Sequence, residues 1–327
     1  MSSTPSPSVA FMICSEKGEL EKKSILFAKS LRKFGGKLKD APIHSIAPRE
    51  GKDISADTLT AFKELNVSHQ HLNLNTKYRA YNFANKIAAC TYFEKQLSED
   101  ILIFCDSDQL VLGEINELLL KEEDIAMQYV AIKGIGSDGK DDNASYWKEL
   151  YQLTKVKKQN YIELSDHQRI LQYFNAGLIV VKRTIGLFEH WAKNFDLVMQ
   201  SKLIPVKGDF FLEQSVLSAT ISAMELSVKV LPEAYNFHLL KHTKLDEAIQ
   251  KIENGEIKML HYHTAFNFPQ KIKAPKSLLA DKNTSTLYWI NAELKQCAIN
   301  EKLLLTEMES TFNLNKEELL TLFSKNE

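Results

Sequence analysis

The sequence predicts one α/β domain, a mostly parallel central sheet flanked by helices, with further helices at the C-terminal end. Three observations predict it. Short continuous apolar runs, above all Val9 to Cys14 (VAFMIC) and Ile101 to Cys105 (ILIFC), have the pattern of strands covered on both faces. Between such runs lie segments whose apolar residues recur at helical spacing. Strands alternating with helices favour a parallel sheet. A chain of 327 residues can bury a large core and suits one elaborated domain of this class. The expected division is a disordered tail over 1–8, a domain over 9–274 and a helical extension over 275–327.

In order, Met1 to Ser8 is rich in Ser and Pro and lacks both the basic start and the apolar centre of a secretory signal. After the first strand and the polar Ser15 to Leu20, the residues Ile25, Ala28, Leu31 and Phe34 mark one face of a helix, which Gly35-Gly36 stops. Pro42 to Pro48 and Val67 to Leu74 read as a second and a third strand. From Tyr81 to Leu97 the stripe Phe83, Ile87, Cys90, Leu97 makes an amphipathic helix, with Lys86, Glu94 and Lys95 beside it or away from it. It leads into the clearest buried strand, Ile101 to Cys105, which ends in Asp106-Ser107-Asp108. Later strands are Leu178 to Val181, Val228 to Leu231 and Met259 to Tyr262, and Asp209 to Ala223 is a helix with Leu212, Val216, Ala219 and Ala223 inward. The polar stretch Lys133 to Asn160, with a helical patch carrying Trp147, Leu150 and Tyr151, is too long for a turn and is assigned to the acceptor side. From Pro275 to Glu317–Phe323 the pattern is of Leu-rich helices.

Composition excludes some functions. A net charge of -1 removes the basic field on which a general nucleic-acid binder relies. No apolar run approaches the roughly 20 residues of a transmembrane segment. Cys14, Cys90, Cys105 and Cys297 show neither paired nor metal-type spacing, which points to a reduced, cytoplasmic setting.

The pair Asp106 and Asp108 carries the chemistry. Two carboxylates at i and i+2 point the same way on an extended backbone, and their oxygens suit Mn²⁺ or Mg²⁺ with positions left for phosphate oxygens. Ligands of open α/β sheets bind beyond the carboxyl ends of the strands, where this pair lies. Haloacid-dehalogenase-like phosphatases also place Asp-x-Asp after an apolar strand, the first Asp as nucleophile. Against that alternative, the pair lies a third of the way along the chain, and Gln109-Leu110 replaces the small residue expected next.

Several pieces then occur in order: Cys105-Asp106-Ser107-Asp108, Tyr173-Phe174-Asn175-Ala176-Gly177, Glu213-Gln214-Ser215-Val216-Leu217, Leu231-Pro232-Glu233-Ala234-Tyr235-Asn236 and His261-Tyr262-His263. Through them the chain resembles the GT-A-fold glycosyltransferases of the glycogenin and bacterial galactosyltransferase type, from Val9 to about Pro275. The resemblance implies a Rossmann-like nucleotide-diphospho-sugar transferase domain in which Asp106, Asp108 and His261 hold Mn²⁺ (or Mg²⁺) against the donor diphosphate. His263 is the alternative third ligand, since histidines at i and i+2 on a strand face one side.

The same resemblance assigns Asn175, Ala176 and Gly177 to the donor sugar, Lys86 to the phosphates or the acidic residues, and Cys14, Ser15 and Ser107 to the donor. Gln214 lies beside the anomeric carbon and Glu213 stands where relatives carry Asp, which leaves the sugar's identity open. The closing motif is degraded, retaining Pro269 with Lys271 and Lys273 as phosphate contacts. The implied reaction moves a hexose from a nucleotide-sugar donor, UDP-linked by family expectation, to a hydroxyl of a glycan, lipid-linked sugar or protein, with retention. Glu213, Gln214 and Lys86 are the candidate catalytic residues. A third reading is a noncatalytic module that binds nucleotide sugar without transfer.

Overall fold

The computed structural model describes residues 7–206, 208–238, 245–263 and 286–296, and within them every apolar run read as a strand is one. The first half runs β1 (Val9–Cys14), α1 (Glu19–Phe34), β2 (Ile43–Ala47), α2 (Ala56–Glu64), β3 (Val67–His71), α3 (Ala84–Gln96), β4 (Ile101–Cys105), β5 (Gln109–Val111), β6 (Ile125–Met127) and α4 (Ala144–Thr154). Then come β7 (Tyr161–Glu163), β8 (Arg169–Leu171), β9 (Leu178–Lys182), α5 (Leu187–Ser201), α6 (Leu212–Ala223), β10 (Val228–Val230), β11 (Phe237–His238), α7 (Leu245–Glu253), β12 (Met259–His261) and α8 (Thr286–Gln296).

Seven strands form the central sheet in the order β10-β6-β9-β4-β1-β2-β3. All neighbours are parallel except β9, which runs antiparallel to β4 and to β6. The α/β class with a mostly parallel, helix-flanked sheet is therefore as expected. One difference matters for the site. Met259 to His261 does not join that sheet but a second, three-stranded one in the order β11-β12-β5, where β12 lies antiparallel to β5 with His261 opposite Gln109. Its other two strands, Gln109–Val111 and Phe237–His238, carry no apolar run or alternation long enough to mark them in the sequence.

The central sheet is covered on both faces. Phe11, Phe27, Leu31 and Phe62 pack on the side of α1 and α2, and Phe93, Trp147, Phe188, Trp191 and Val216 on the side of α3 to α6. At the start of α1, Gly18 takes φ 110, a conformation open to glycine, and the Glu21 carboxylate turns back to accept the Gly18 amide at 2.8 Å. Glu21 also accepts from the Ser55 amide at 2.5 Å and the Thr58 hydroxyl at 2.9 Å, tying α1 to α2.

Two helix positions correct the sequence reading. Lys86 and Glu94 are buried rather than set aside from the apolar stripe of α3. Glu94 accepts the Phe188 and Glu189 amides at 3.0 and 2.9 Å, satisfying the open start of α5, and Lys86 points into the site. The polar stretch after Lys133 also holds a core helix. Trp147 on α4 is fully buried, donates to the Ile135 carbonyl at 2.8 Å, and packs edge-on against Tyr173.

Of the expected C-terminal helices, α8 is described: Trp289 meets Phe34 of α1 edge-on at 5.1 Å, and Lys29 pairs with Glu293 at 2.6 Å. The rest of 275–327, with Cys297 and Glu317–Phe323, lies outside the described residues, as do residues 1–6 of the expected tail and Pro269, Lys271 and Lys273. Cys14, Cys90 and Cys105 are free thiols. Among the described residues no helix is long and apolar enough to cross a membrane.

Candidate functional site

The site lies where β4 leaves the central sheet. Asp106, Ser107 and Asp108 form a turn between β4 and β5, closed by the Gln109 amide on the Asp106 carbonyl at 3.2 Å, not the extended segment the i, i+2 argument assumed. The carboxylates nevertheless converge, because β5 pairs with β12 and brings His261 up to them. One ligand atom each from Asp106, Asp108 and His261 lies within 4.8 Å of the others. The carboxylate side chains keep 27% and 20% exposure, so a small ligand reaches them, while the His261 ring is buried at 4%.

The geometry separates the two histidines that spacing left equivalent. His261 Nε2 is 3.1 Å from Asp108 Oδ1, and its Nδ1 donates to Asn236 Oδ1 at 2.9 Å, which fixes the ring with Nε2 toward the acids. His263 stands farther off, its Nδ1 3.8 Å from Asp108 Oδ2. It lies past the end of β12, with φ 49, and its Nε2 is 2.8 Å from Nδ1 of His238. Burial would raise the Asp108 carboxyl, but the facing His261 ring and its hydrogen bond hold it well below the usual range.

Amide side chains join this corner to the expected sugar loop. Asn236 Nδ2 donates to Asn175 Oδ1 at 2.9 Å, the same oxygen that accepts the Gly177 amide at 2.9 Å. Gln109 Nε2 donates to the Gly177 carbonyl at 2.8 Å and to Asn236 Oδ1 at 3.2 Å. Gly177 itself has no room for a side chain: a Cβ there would lie 2.8 Å from His261 Cε1, 2.9 Å from Asn175 Oδ1 and 3.2 Å from Asp106 Oδ2.

Lys86 sits on the other side of Asp106, its Nζ 3.0 Å from Asp106 Oδ1 and 3.9 Å from Glu213 Oε1. Burial works to lower its pKa, but the two carboxylates outweigh that and hold the ammonium above its ordinary value. Burial raises the Glu213 carboxyl, against the pull of Lys86 and of the Tyr81 hydroxyl, which donates to Oε2 at 2.6 Å. Glu213 is 1% exposed, and Trp191 donates to its carbonyl at 2.9 Å. Gln214 is anchored at both ends: Oε1 accepts the Ala176 amide at 2.9 Å and Nε2 donates to the Tyr173 hydroxyl at 2.8 Å. The neighbouring Ser215 is bonded to Tyr146 of α4 at 2.5 Å, so the polar stretch buttresses α6 from behind.

Cys14 and Ser15 close the β1 edge. The register Met12 to Phe104 brings Cys14 level with Asp106, burial pushes the Cys14 thiol up, and Ser15 Oγ is buried with no hydrogen-bond partner among the described residues. Ser107 is 7% exposed at the turn. Sequence reasoning missed the group next to them. Glu16, 2% exposed, pairs with Arg49 Nη2 at 2.5 Å and Nε at 3.0 Å, and Arg49 reaches Asn82 Oδ1 at 2.7 Å. Tyr81 and His238 were also missed. No local pattern marks residues that meet only through sheet register.

Residues 11–225 match the family model described as Rhodobacterales glycosyltransferase domain. No curated protein matches the chain. Among solved structures the chain is similar to the WbbM bifunctional glycosyltransferase, at 14% identity and a TM-score of 0.47, over 90% of this chain and 53% of that one. It is similar to the glycosyltransferase GlyE of Streptococcus pneumoniae TIGR4, at 14% identity and a TM-score of 0.46, over 93% of this chain and 64% of that one. The galactosyltransferase LgtC, in complex with donor and acceptor sugar analogs, is a third, at 12% identity and a TM-score of 0.47, over 90% of this chain and 98% of that one. The chain thus spans about half the length of WbbM and just under two thirds of GlyE.

Proposed function

The chain belongs to the Rhodobacterales glycosyltransferase domain family, and on that premise we propose that it moves a hexose from a UDP-linked sugar to a hydroxyl of a glycan, lipid-linked sugar or protein, with retention of anomeric configuration and with a divalent cation at Asp106, Asp108 and His261. Membership in a transferase family sets aside the phosphatase reading and that of a noncatalytic module. The observation that carries the finer reading is the convergence of two carboxylates and one oriented imidazole within 4.8 Å at the carboxyl edge of β4.

The donor set fits the cation. Two carboxylate oxygens and an imidazole nitrogen suit Mn²⁺, and Mg²⁺ less well because it favours oxygen throughout. Bound there, the ion would neutralise charge on the departing diphosphate. Lys86, held cationic between Asp106 and Glu213, adds a fixed positive charge on the same side. Asn175 and the Glu213 carboxylate, the latter fixed by Tyr81, bind hydroxyls of the donor sugar. Glu213 is one methylene longer than the Asp of relatives, which would shift the sugar pocket or suit a differently placed hydroxyl. Gln214 is an amide anchored at both ends and makes no nucleophile, so the acceptor hydroxyl attacks from the leaving-group face. Cys14 and Ser15 line the nucleotide side.

Thermal unfolding with Mn²⁺ alone, UDP alone and both together tests the reading. Saturation near 100 times the dissociation constant adds about 2.7 kcal/mol, which raises the midpoint by several degrees. The expected result is stabilisation by UDP only when Mn²⁺ is present, and its loss in Asp108→Asn. A wild type indifferent to the pair of ligands refutes the donor assignment.

A further inference from the structure

The three histidines at this corner are more than the donor site requires. His261 alone faces Asp108 at hydrogen-bond distance. Yet one ring nitrogen from each of His238, His261 and His263 lies within 4.8 Å of the others. We propose that these three imidazoles form a second cation site, for an ion of the Zn²⁺ class, which competes with the Asp106–Asp108 site for His261.

Two features of the backbone build the cluster. The parallel register of β11 and β12 sets His238 opposite His261, with ring centroids 4.9 Å apart. The left-handed residue at the end of β12, His263 with φ 49, folds its ring back over His261 at 3.8 Å. His238 and His261 are buried, at 7% and 3% exposure, whereas the His263 side chain keeps 35%, so the cluster has a dry floor and one wet side through which an ion enters.

The donor chemistry differs from that of the acidic site. Here all the donors are imidazole nitrogens, and such a set favours Zn²⁺, Ni²⁺ or Cu²⁺ over Mn²⁺ and Mg²⁺. His238 Nδ1 and His263 Nε2, 2.8 Å apart, share one proton, which moves to the other ring nitrogen of its own histidine when a cation takes its place. His261 Nδ1 is committed to Asn236, which leaves Nε2 to serve either site. One ligand atom therefore belongs to two sets, and occupation of one site strips a ligand from the other. The inhibition this implies rests on the donor-site reading. Binding at the cluster does not.

The test separates the two. The full chain is titrated with Zn²⁺ by calorimetry and with Co²⁺ by its visible absorption, for the wild type, for the double variant Asp106→Asn/Asp108→Asn, and for His238→Ala. The expected result is one Zn²⁺ bound by the wild type and by the double variant alike, with a Co²⁺ spectrum of a low-coordinate nitrogen site in both, and affinity at least about tenfold weaker in His238→Ala. If His238→Ala loses the wild-type melting transition, His263→Asn, on the exposed side, takes its place. Loss of Zn²⁺ binding in the double variant, or unchanged affinity in the histidine variant, overturns the proposal. In transfer assays with Mn²⁺, added Zn²⁺ inhibits and excess Mn²⁺ restores the rate. Zn²⁺ bound without inhibition overturns the competition, and a chain that transfers nothing under any condition counts against the donor reading while the binding titration still decides the cluster.

Discussion

Replacing Gly177 by alanine adds a single methyl group at the narrowest point of the site. Its Cβ would stand 2.8 Å from His261 Cε1 and 2.9 Å from Asn175 Oδ1, where carbon contacts ordinarily settle at about 3.5–4.0 Å. Either the His261 ring or the Asn175 amide has to retreat by roughly half an ångström or more. Both are pinned by Asn236, so the cost is that of overpacking, about 1–3 kcal/mol. The lost chain entropy of glycine returns about 0.4–1 kcal/mol of that. The net fall in the melting midpoint is a few degrees for a domain of this size.

If the proposed cation binds there, the larger effect falls on its affinity, because a displaced imidazole weakens metal affinity by about 10–100-fold. The assay is a Mn²⁺ titration followed by thermal unfolding in the presence of UDP. Gly113→Ala is the control, since its Cβ would meet the flexible Lys258 side chain, Cδ at 3.1 Å. Equal melting and an equal Mn²⁺ response in the two variants would refute the packing argument.

Three further outcomes follow from the geometry. Burial raises the Glu21 carboxyl, but its hydrogen bonds from Gly18, Ser55 and Thr58 win and hold it below its ordinary 4.5. Its contribution to stability is full above that value and lost as pH falls through the depressed one, so acid unfolding compared between wild type and Glu21→Gln should converge only at the acid end. Trp147→Ala should cost about 3–5 kcal/mol in urea unfolding, because the indole is fully buried. A cost near zero would show that the polar stretch is not part of the core. Lys86→Met removes the cation that opposes the burial of Glu213, so the Glu213 carboxyl rises further, and the acid limb of the pH–rate profile of transfer should move to higher pH. An unmoved limb would mean that Glu213 does not govern it.

How much of this could be read in advance depended on the range of the contacts. Ile101 to Cys105 announced itself because five apolar residues in succession have few explanations besides a buried strand, and the acids after it fell at a sheet edge by rule. Lys86 was named as a site residue yet expected at the helix margin. A lysine in a helical pattern looks the same whether it meets water or two carboxylates, and only Asp106 and Glu213, brought in from other elements, make its burial tolerable. That His261 stands closer to Asp108 than His263 does depends on Asn236 and on the left-handed turn at His263, neither of which spacing reveals. Glu16 and Arg49 lie 33 positions apart and meet because β1 and β2 are neighbours.

The amide bridge from Gln109 to Asn236 joins residues 127 positions apart, and the pairing of β5 with β12 spans still more chain. Synthesis runs from the N-terminus, so a nascent chain holds the Asp106–Asp108 turn long before β12 exists. Until Met259–His261 emerges, β5 has no partner in the small sheet, and the two acids have Lys86 beside them but no imidazole. The corner proposed to hold the cation is therefore among the last parts of the molecule that can assemble, and ribosome-bound fragments ending before Met259 should fold the central sheet while remaining indifferent to Mn²⁺.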